Sequence, residues 1–230
     1  QLTGLVIKND KLVAVKVTDE KATYELPANK LFLAIGHSAR DTFEMLYNSG
    51  VHMEQKPFSV GARIEHRQTL INRAQYGKAA ESPYLGAADY KMAVHLPNGR
   101  SVYTFCMCPG GVVVAAASEK GRVVTNGMSE FARAAENANS ALLVGVSEKD
   151  FGSNSPLAGM YFQRKLEENA FIAGDSSYRA PAVLVGDFLR GKVSQKLGEV
   201  RPTYLPGVAL GGFKQVLPSE IADFLRLGIV

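Results

Sequence analysis

Cysteine is almost absent from this chain, and where it occurs it is concentrated: of 230 residues only Cys106 and Cys108 carry a thiol. Two cysteines build no disulfide framework, so a packed core must hold the fold and a reducing, cytoplasmic location is expected. Long apolar runs are missing too. No stretch has the length to span a bilayer and no signal-peptide pattern opens the chain, so no membrane partner is expected. Charge of one sign is not concentrated either. The formal charge is +4 and the pI about 9.0, yet Lys and Arg are scattered, which fits a mildly basic solvated surface better than a nucleic-acid footprint. The histidines, His37, His52, His66 and His95, include no pair at metal-ligand spacing, and no metal site is expected.

What is present is an ordinary globular composition, 46% hydrophobic and 21% charged, enough for one large domain or two small ones. The first segment reads as a three-stranded meander: Leu5–Ile7, Leu12–Val17 and Ala22–Leu26, parted by Asn9-Asp10 and Asp19–Lys21. Leu31–Ile35 is apolar on both faces and predicts a strand buried in a layered sheet, ending at Gly36. A helix is expected over Arg40–Ser49, capped by Ser38 or Asp41 and stopped by Gly50, with Phe43, Leu46 and Tyr47 inward.

Further along, Phe58–Ile64 predicts a strand, Gln68–Ala74 a short helix and Gly77–Ala88 a loop. Pro97-Asn98-Gly99 between alternating runs predicts a hairpin of Asp89–Leu96 with Arg100–Met107. Gly111–Ala117 and Ala141–Val146 are further strands, so the centre should be a mainly antiparallel sheet. Helices are expected at Leu157–Ala173, at Ala182–Leu189 with Pro181 in its first turn, and at Ser219–Leu227. Domain borders are expected near Gly36–Arg40 and near Ser147–Pro156. The chain opens on Gln1 and closes on Ile229-Val230 directly after an apolar run, which suggests an internal piece of a longer protein.

Some residue groups have the chemistry of a site. A strand ending in Ile35-Gly36-His37-Ser38 lets a ligand approach the backbone, and Arg40 supplies charge for a phosphate; an ordinary strand-to-helix turn is the plainer alternative. Cys106 and Cys108, two apart on a strand, should share a face with Cα atoms roughly 6.5–7 Å apart, at the limit for a disulfide. They are either small core residues or redox and substrate-facing thiols. Pro109-Gly110-Gly111 allows close backbone approach, to a ligand ring or to another strand. Arg63, His66, Arg67 and Arg73 form a local basic cluster. Together with Tyr76 and Tyr84 it could bind an anionic substrate or nicotinamide phosphate, with Arg63, Arg67 and Tyr76 as the substrate-binding candidates, or stand as a solvated face; His66 is a candidate base.

The string Ala34-Ile35-Gly36-His37-Ser38-Ala39-Arg40-Asp41-Thr42, following a meander, resembles the second FAD-contact element of flavoproteins with a Rossmann-type FAD domain. It resembles a branch known as FAD-dependent, or NAD(FAD)-utilising, dehydrogenases. The similarity continues through Phe105-Cys106-Met107-Cys108-Pro109-Gly110-Gly111, Asn154-Ser155-Pro156-Leu157, Ala180-Pro181, Gly186-Asp187-Phe188-Leu189 and Thr203-Tyr204-Leu205-Pro206-Gly207. The resemblance implies FAD as cofactor, with NAD(P) as a second candidate. It implies cofactor contacts at Ile35, Gly36, His37, Ser38, Arg40, Pro109, Gly110 and Gly111.

No Gly-x-Gly-x-x-Gly follows a first strand, and the late Gly-Asp element that closes over the flavin is not evident, so the FAD site here would be partial. The reading is an α+β chain. Residues 1–40 would be the meander and closing strand of an FAD domain, and residues 41–230 an inserted substrate-side domain of mixed, mainly antiparallel sheet with helices. Hydride or electron transfer is the expected reaction class, with His37, His66, Cys106 and Cys108 as catalytic candidates. The expected partners are a small-molecule substrate, the remainder of the FAD domain and a second copy in a homodimer. The alternatives are a ligand- or nucleic-acid-binding module and a structural domain that has lost its flavin.

Overall fold

The meander forms where the β-rich segments lie: β1 (Leu2–Lys8), β2 (Lys11–Thr18) and β3 (Thr23–Pro27) pair antiparallel in the order β1-β2-β3 in the computed structural model, which describes residues 1–229. The β1–β2 turn is tight because Asn9 and Asp10 both accept positive φ, 49° and 59°. The next turn is held by the Asp19 carboxylate, which accepts the N–H groups of Lys21 and Ala22; those bonds hold its pKa down. Only Ala14 and Val15 of this sheet are buried, and β3 is exposed throughout.

The expected buried strand at Leu31–Ile35 is corrected. Residues 28–39 form no strand, and Phe32 is 92% exposed. The sheet ends at β3, so this run has no ladder partner, and an apolar strand without partners on either side remains extended chain.

Helix α1 (Arg40–Asn48) follows, without a side-chain cap from Ser38 or Asp41. Leu46 is buried and Phe43 half-buried, whereas Tyr47, expected inward, is exposed. Charge holds α1 in place. Arg40, 3% exposed, donates to Glu167 and Glu119, each at 2.6 Å. Arg164 donates to Glu119 at 2.7 Å and pairs with Glu44 of α1. The Glu119 carboxyl, held first by Arg164 and then by Arg40, has its pKa lowered to about 2.

The central sheet contains β4 (Phe58–Arg67), β5 (Ala93–His95), β6 (Ser101–Cys108) and β9 (Asn137–Val146), all antiparallel in the order β4-β9-β6-β5. Helix α2 (Gln68–Tyr76) follows β4 directly. The Pro97-Asn98-Gly99 hairpin forms as expected, closed by Leu96 N–H donating to Arg100 O at 2.8 Å. β7 (Gly111–Ala115) and β8 (Thr125–Ser129) make a separate two-stranded ribbon; β8 carries too little apolar pattern to announce itself.

Register fixes what each face of the sheet does. Val60, Val102, Val144 and Val146 share one face, at 9% exposure or less. Against it packs α5 (Ser219–Ile229) through Ile221, Phe224 and Leu225. The absence of a side chain at Gly228 lets α5 lie directly against Val102. Phe58 and Phe151 stack at 5.0 Å, with Phe162 of α3 (Ala158–Ala173) against both.

β10 (Ala180–Ala182) and β11 (Val208–Leu210) form a parallel pair, and α4 (Val185–Leu189) begins only after β10. Pro181, expected in a helix, therefore stands in a strand. Among the described residues β11 is the only partner of β10, so an imino nitrogen facing away from it costs no ladder bond.

Candidate functional site

The opposite face of the central sheet is half-covered. Register places Gly61 and Arg63 of β4 there, with Asn139, Ala141 and Leu143 of β9 and Tyr103, Phe105 and Cys108 of β6. Phe105 is 62% exposed, whereas Asn139 and Cys108 are buried at the end where β8 crosses. Gly127 of β8 sits so close that a Cβ there would overlap Arg63 Nη1 and Asn139 Oδ1 and stand 2.8 Å from Cys108 Sγ.

Arg63 is the charged group of this cluster. It donates to Asn139 Oδ1 at 2.7 Å and to Asn126 Oδ1 at 3.2 Å, so among the described residues its guanidinium meets amides, not carboxylates. Burial lowers its pKa, but a guanidinium stays charged at any physiological pH. Arg63 Nε and Asn139 Nδ2 are buried without a hydrogen-bond partner. Buried donors in this condition cost about 1–3 kcal/mol each.

Beside it the β6 ladder breaks. Phe105 pairs with Ala141 and Cys108 with Asn139, so Cys106 and Met107 both stand opposite Ser140. That is a β-bulge, and Cys106 takes φ +48°, a region a side-chain-bearing residue enters only at a cost. The expectation that two-residue spacing puts both thiols on one regular strand face is thereby corrected. Cys106 is exposed; Cys108 is buried, its Sγ donating to the Cys106 carbonyl at 3.4 Å. Burial pushes the Cys108 thiol up, the neighbouring Cys106 thiol adds to this, and Arg63 opposes it.

The glycines after the bulge approach the chain's own backbone. Gly110, at φ +48°, is pressed on the Arg133 carbonyl and Gly111 on that of Met128. Gly110 N–H donates to Gln68 Oε1 at 2.7 Å, and the Pro109 carbonyl accepts from Ser129 at 2.7 Å. Of the alternatives open for this turn, close approach to another strand is the one the geometry contains.

His66 lies on the other face, sharing a 2.8 Å hydrogen bond between Nε2 and the Tyr90 hydroxyl. Burial lowers the His66 pKa and raises that of Tyr90, so both are neutral near neutrality. The basic cluster at 63–73 is thus divided by strand alternation. Arg67 pairs with Glu136 at 2.9 Å and donates to Glu199 O at 3.1 Å, Arg73 is exposed and Tyr76 half-buried, with no polar contact from Arg63 to Arg67 or Tyr76 among the described residues. Arg40, expected at a phosphate, has its guanidinium engaged by Glu119 and Glu167. Gly36, at φ +67°, His37 and Ser38 are exposed, and Ile35 is half-buried in the same open segment. Asn126, Gly127 and Asn139 escaped sequence reasoning because the crossing of β8 over the sheet brings them together, and Tyr90 because it meets His66 from outside any strand.

A recess of about 490 Å³ opens between α4 and α5, lined by Phe188, Ser194, Phe213, Leu217 and Arg226 among others. Some of its polar groups are internally paired: Ser194 donates to Asp187 and accepts from Leu184 N–H, and Arg226 pairs with Asp223. It shares no lining residue with the Arg63 cluster and has volume without a buried unpaired group to orient a ligand. Among the described residues there is no grouping of three or more His, Cys, Asp or Glu fit for a metal, and no helix is long and apolar enough to cross a membrane.

Fold and site together define a mainly antiparallel α+β protein with a thiol, guanidinium and amide cluster on one sheet face. The chain belongs to the family described as FAD-dependent protein, C-terminal domain-like, whose model matches residues 57–230, from the threshold of β4 onward. Over 231 residues it is 51% identical to an uncharacterized protein of Clostridium beijerinckii (strain ATCC 51743 / NCIMB 8052). That alignment takes in all of this chain and 43% of the relative, so the chain spans less than half the length of the curated relative it matches.

Proposed function

We propose that this chain is the substrate-side part of a flavin-dependent oxidoreductase or dehydrogenase. In this reading residues 1–40 are part of an FAD domain completed by the rest of the polypeptide, and residues 41–230 cover the reacting centre. The observation that carries the reading is Arg63: a half-buried cation held by amides, with an unpartnered Nε, on the half-covered face of a sheet in a family described as FAD-dependent. A cation without a carboxylate partner suits a small anionic substrate.

The residues present fit a flavin on two observations. Gly36 has no atom within 4 Å of where a Cβ would stand, so its backbone is open to close approach. Arg63 and Asn139 hold buried donors without a partner. Ile35, Gly36, His37 and Ser38 would border the cofactor on one side. The exposed edge of the bulge at Phe105 and Cys106 would border it elsewhere, while Pro109, Gly110 and Gly111 are buried against the chain's own backbone. When bound, FAD supplies the two-electron chemistry, with NAD(P) as a donor or acceptor. This chain's residues would bind the substrate at Arg63, orient it against Phe105 and exclude water. Arg40 would keep α1 against α3 rather than touch a phosphate. His66 and Tyr90 lie across the sheet, and their pair would support β4 rather than take a substrate proton.

The test is the visible absorption spectrum of the intact natural polypeptide. Flavin bands that persist through gel filtration, bleach on reduction and shift when a small carboxylate is added are expected. A colourless protein that binds no added FAD would overturn the reading.

A further inference from the structure

We propose that Cys106 and Cys108 form a dithiol–disulfide couple that exchanges with small-molecule disulfides, Cys106 as the attacking thiol and Cys108 as the resolving one. The bulge carries the argument. A regular strand would hold the two side chains parallel and apart, but the left-handed turn at Cys106 swings its side chain out to solvent. The Cys108 sulfur meanwhile folds back to 3.4 Å from the Cys106 carbonyl. Closing the bond needs local backbone movement, and the bulge is where β6 has already given up its ladder pairing. The residue types are also placed in the order that exchange requires: the thiol that meets a reagent is exposed and the one that must wait is 6% exposed.

Arg63 adds the third component. It borders Cys108 across Gly127, and its positive charge opposes the upward push that burial gives this thiol. An active-site thiol pair commonly sits beside such a cation.

The exchange balances in two steps. The Cys106 thiolate attacks one sulfur of a low-molecular-weight disulfide, forming a mixed disulfide and releasing one small thiolate. Cys108 then loses its proton, attacks the Cys106 sulfur, forms the intrachain disulfide and releases the second thiolate. The protein is oxidised by two electrons and the reagent reduced to two thiols.

The experiment uses the intact natural polypeptide, reduced, freed of reductant and treated with glutathione disulfide, with peptide mapping by mass spectrometry. Expected are a peptide spanning residues 106–108 lighter by two hydrogens and no lasting adduct. Cys108→Ser should accumulate a stable glutathione adduct on Cys106, and Cys106→Ser should show neither product. Circular dichroism of both variants confirms that they are folded. A wild-type protein that keeps glutathione on Cys106 beside a free Cys108, or in which neither thiol reacts, would overturn the proposal. The readout is mass and does not depend on flavin: a colourless protein that still closes this disulfide would remove the flavin reading and leave the dithiol standing.

Discussion

The two faces of the central sheet are made by the same strands and do opposite work. Alternate residues of β4, β6 and β9 go to each side. On one side valines are sealed under α5, with Val144 fully buried and Val102 at 1% exposure. On the other, Phe105 is exposed, and Arg63, Asn139 and Cys108 gather charge, amide and sulfur beneath β8. The closed face has the packing that gives stability. The opposite one carries the unpaired buried donors of Arg63 and Asn139 and a positive φ at Cys106, features that cost stability; on the closed side His66 Nδ1 is likewise buried without a partner.

Substitutions on the two sides should therefore separate stability from binding. The largest loss is expected from Leu225→Ala, at 1% exposure under the valine face, which should cost about 2–5 kcal/mol in urea unfolding. Arg63→Ala should cost only about 1 kcal/mol of stability, since it strands Asn139 Oδ1 but relieves a desolvated charge. It should weaken anionic-substrate or anion binding about ten- to a hundred-fold, the worth of a charged hydrogen bond. If Arg63→Ala unfolds the protein as readily as Leu225→Ala and leaves anion affinity untouched, the division between the faces fails.

The smallest effect sharpens the picture on the closed side. Burial disfavours protonated His66, so its contribution to stability is whole above the ordinary histidine pKa, about 6.5, and declines as pH falls toward the lowered folded value. The urea midpoint should drop between about pH 7.5 and about pH 5. His66→Gln should flatten that slope; an unchanged slope would mean that His66 protonates freely in the folded protein.

Local pattern carried much of this architecture. The meander, the Asn98-Gly99 hairpin, α1, β4, α3 and α5 are written in turn chemistry and periodicity, which act over a few residues. The errors arose where a distant partner decides. Leu31–Ile35 has a strand's composition but no neighbouring ladder, and Pro181 joins a strand because β11, some thirty residues later, runs beside it. The site was legible only as separate letters. Arg63, Cys106 and Cys108 could be singled out by type, but Asn126, Gly127 and Asn139 are unremarkable in sequence and gain meaning from register. The bulge itself is a property of two strands and cannot be read from one.

The charge lattice around Glu119 constrains how this sequence can drift. Arg40 and Arg164 each answer to two acids, and Glu119 answers to both arginines. Replacing any one member strands an opposite charge in a partly buried place, so a single neutral step is scarce. These positions should change together across descendants or not at all. The join between α1 and α3 is then inherited as a block, even while the exposed strands of the meander wander freely around it.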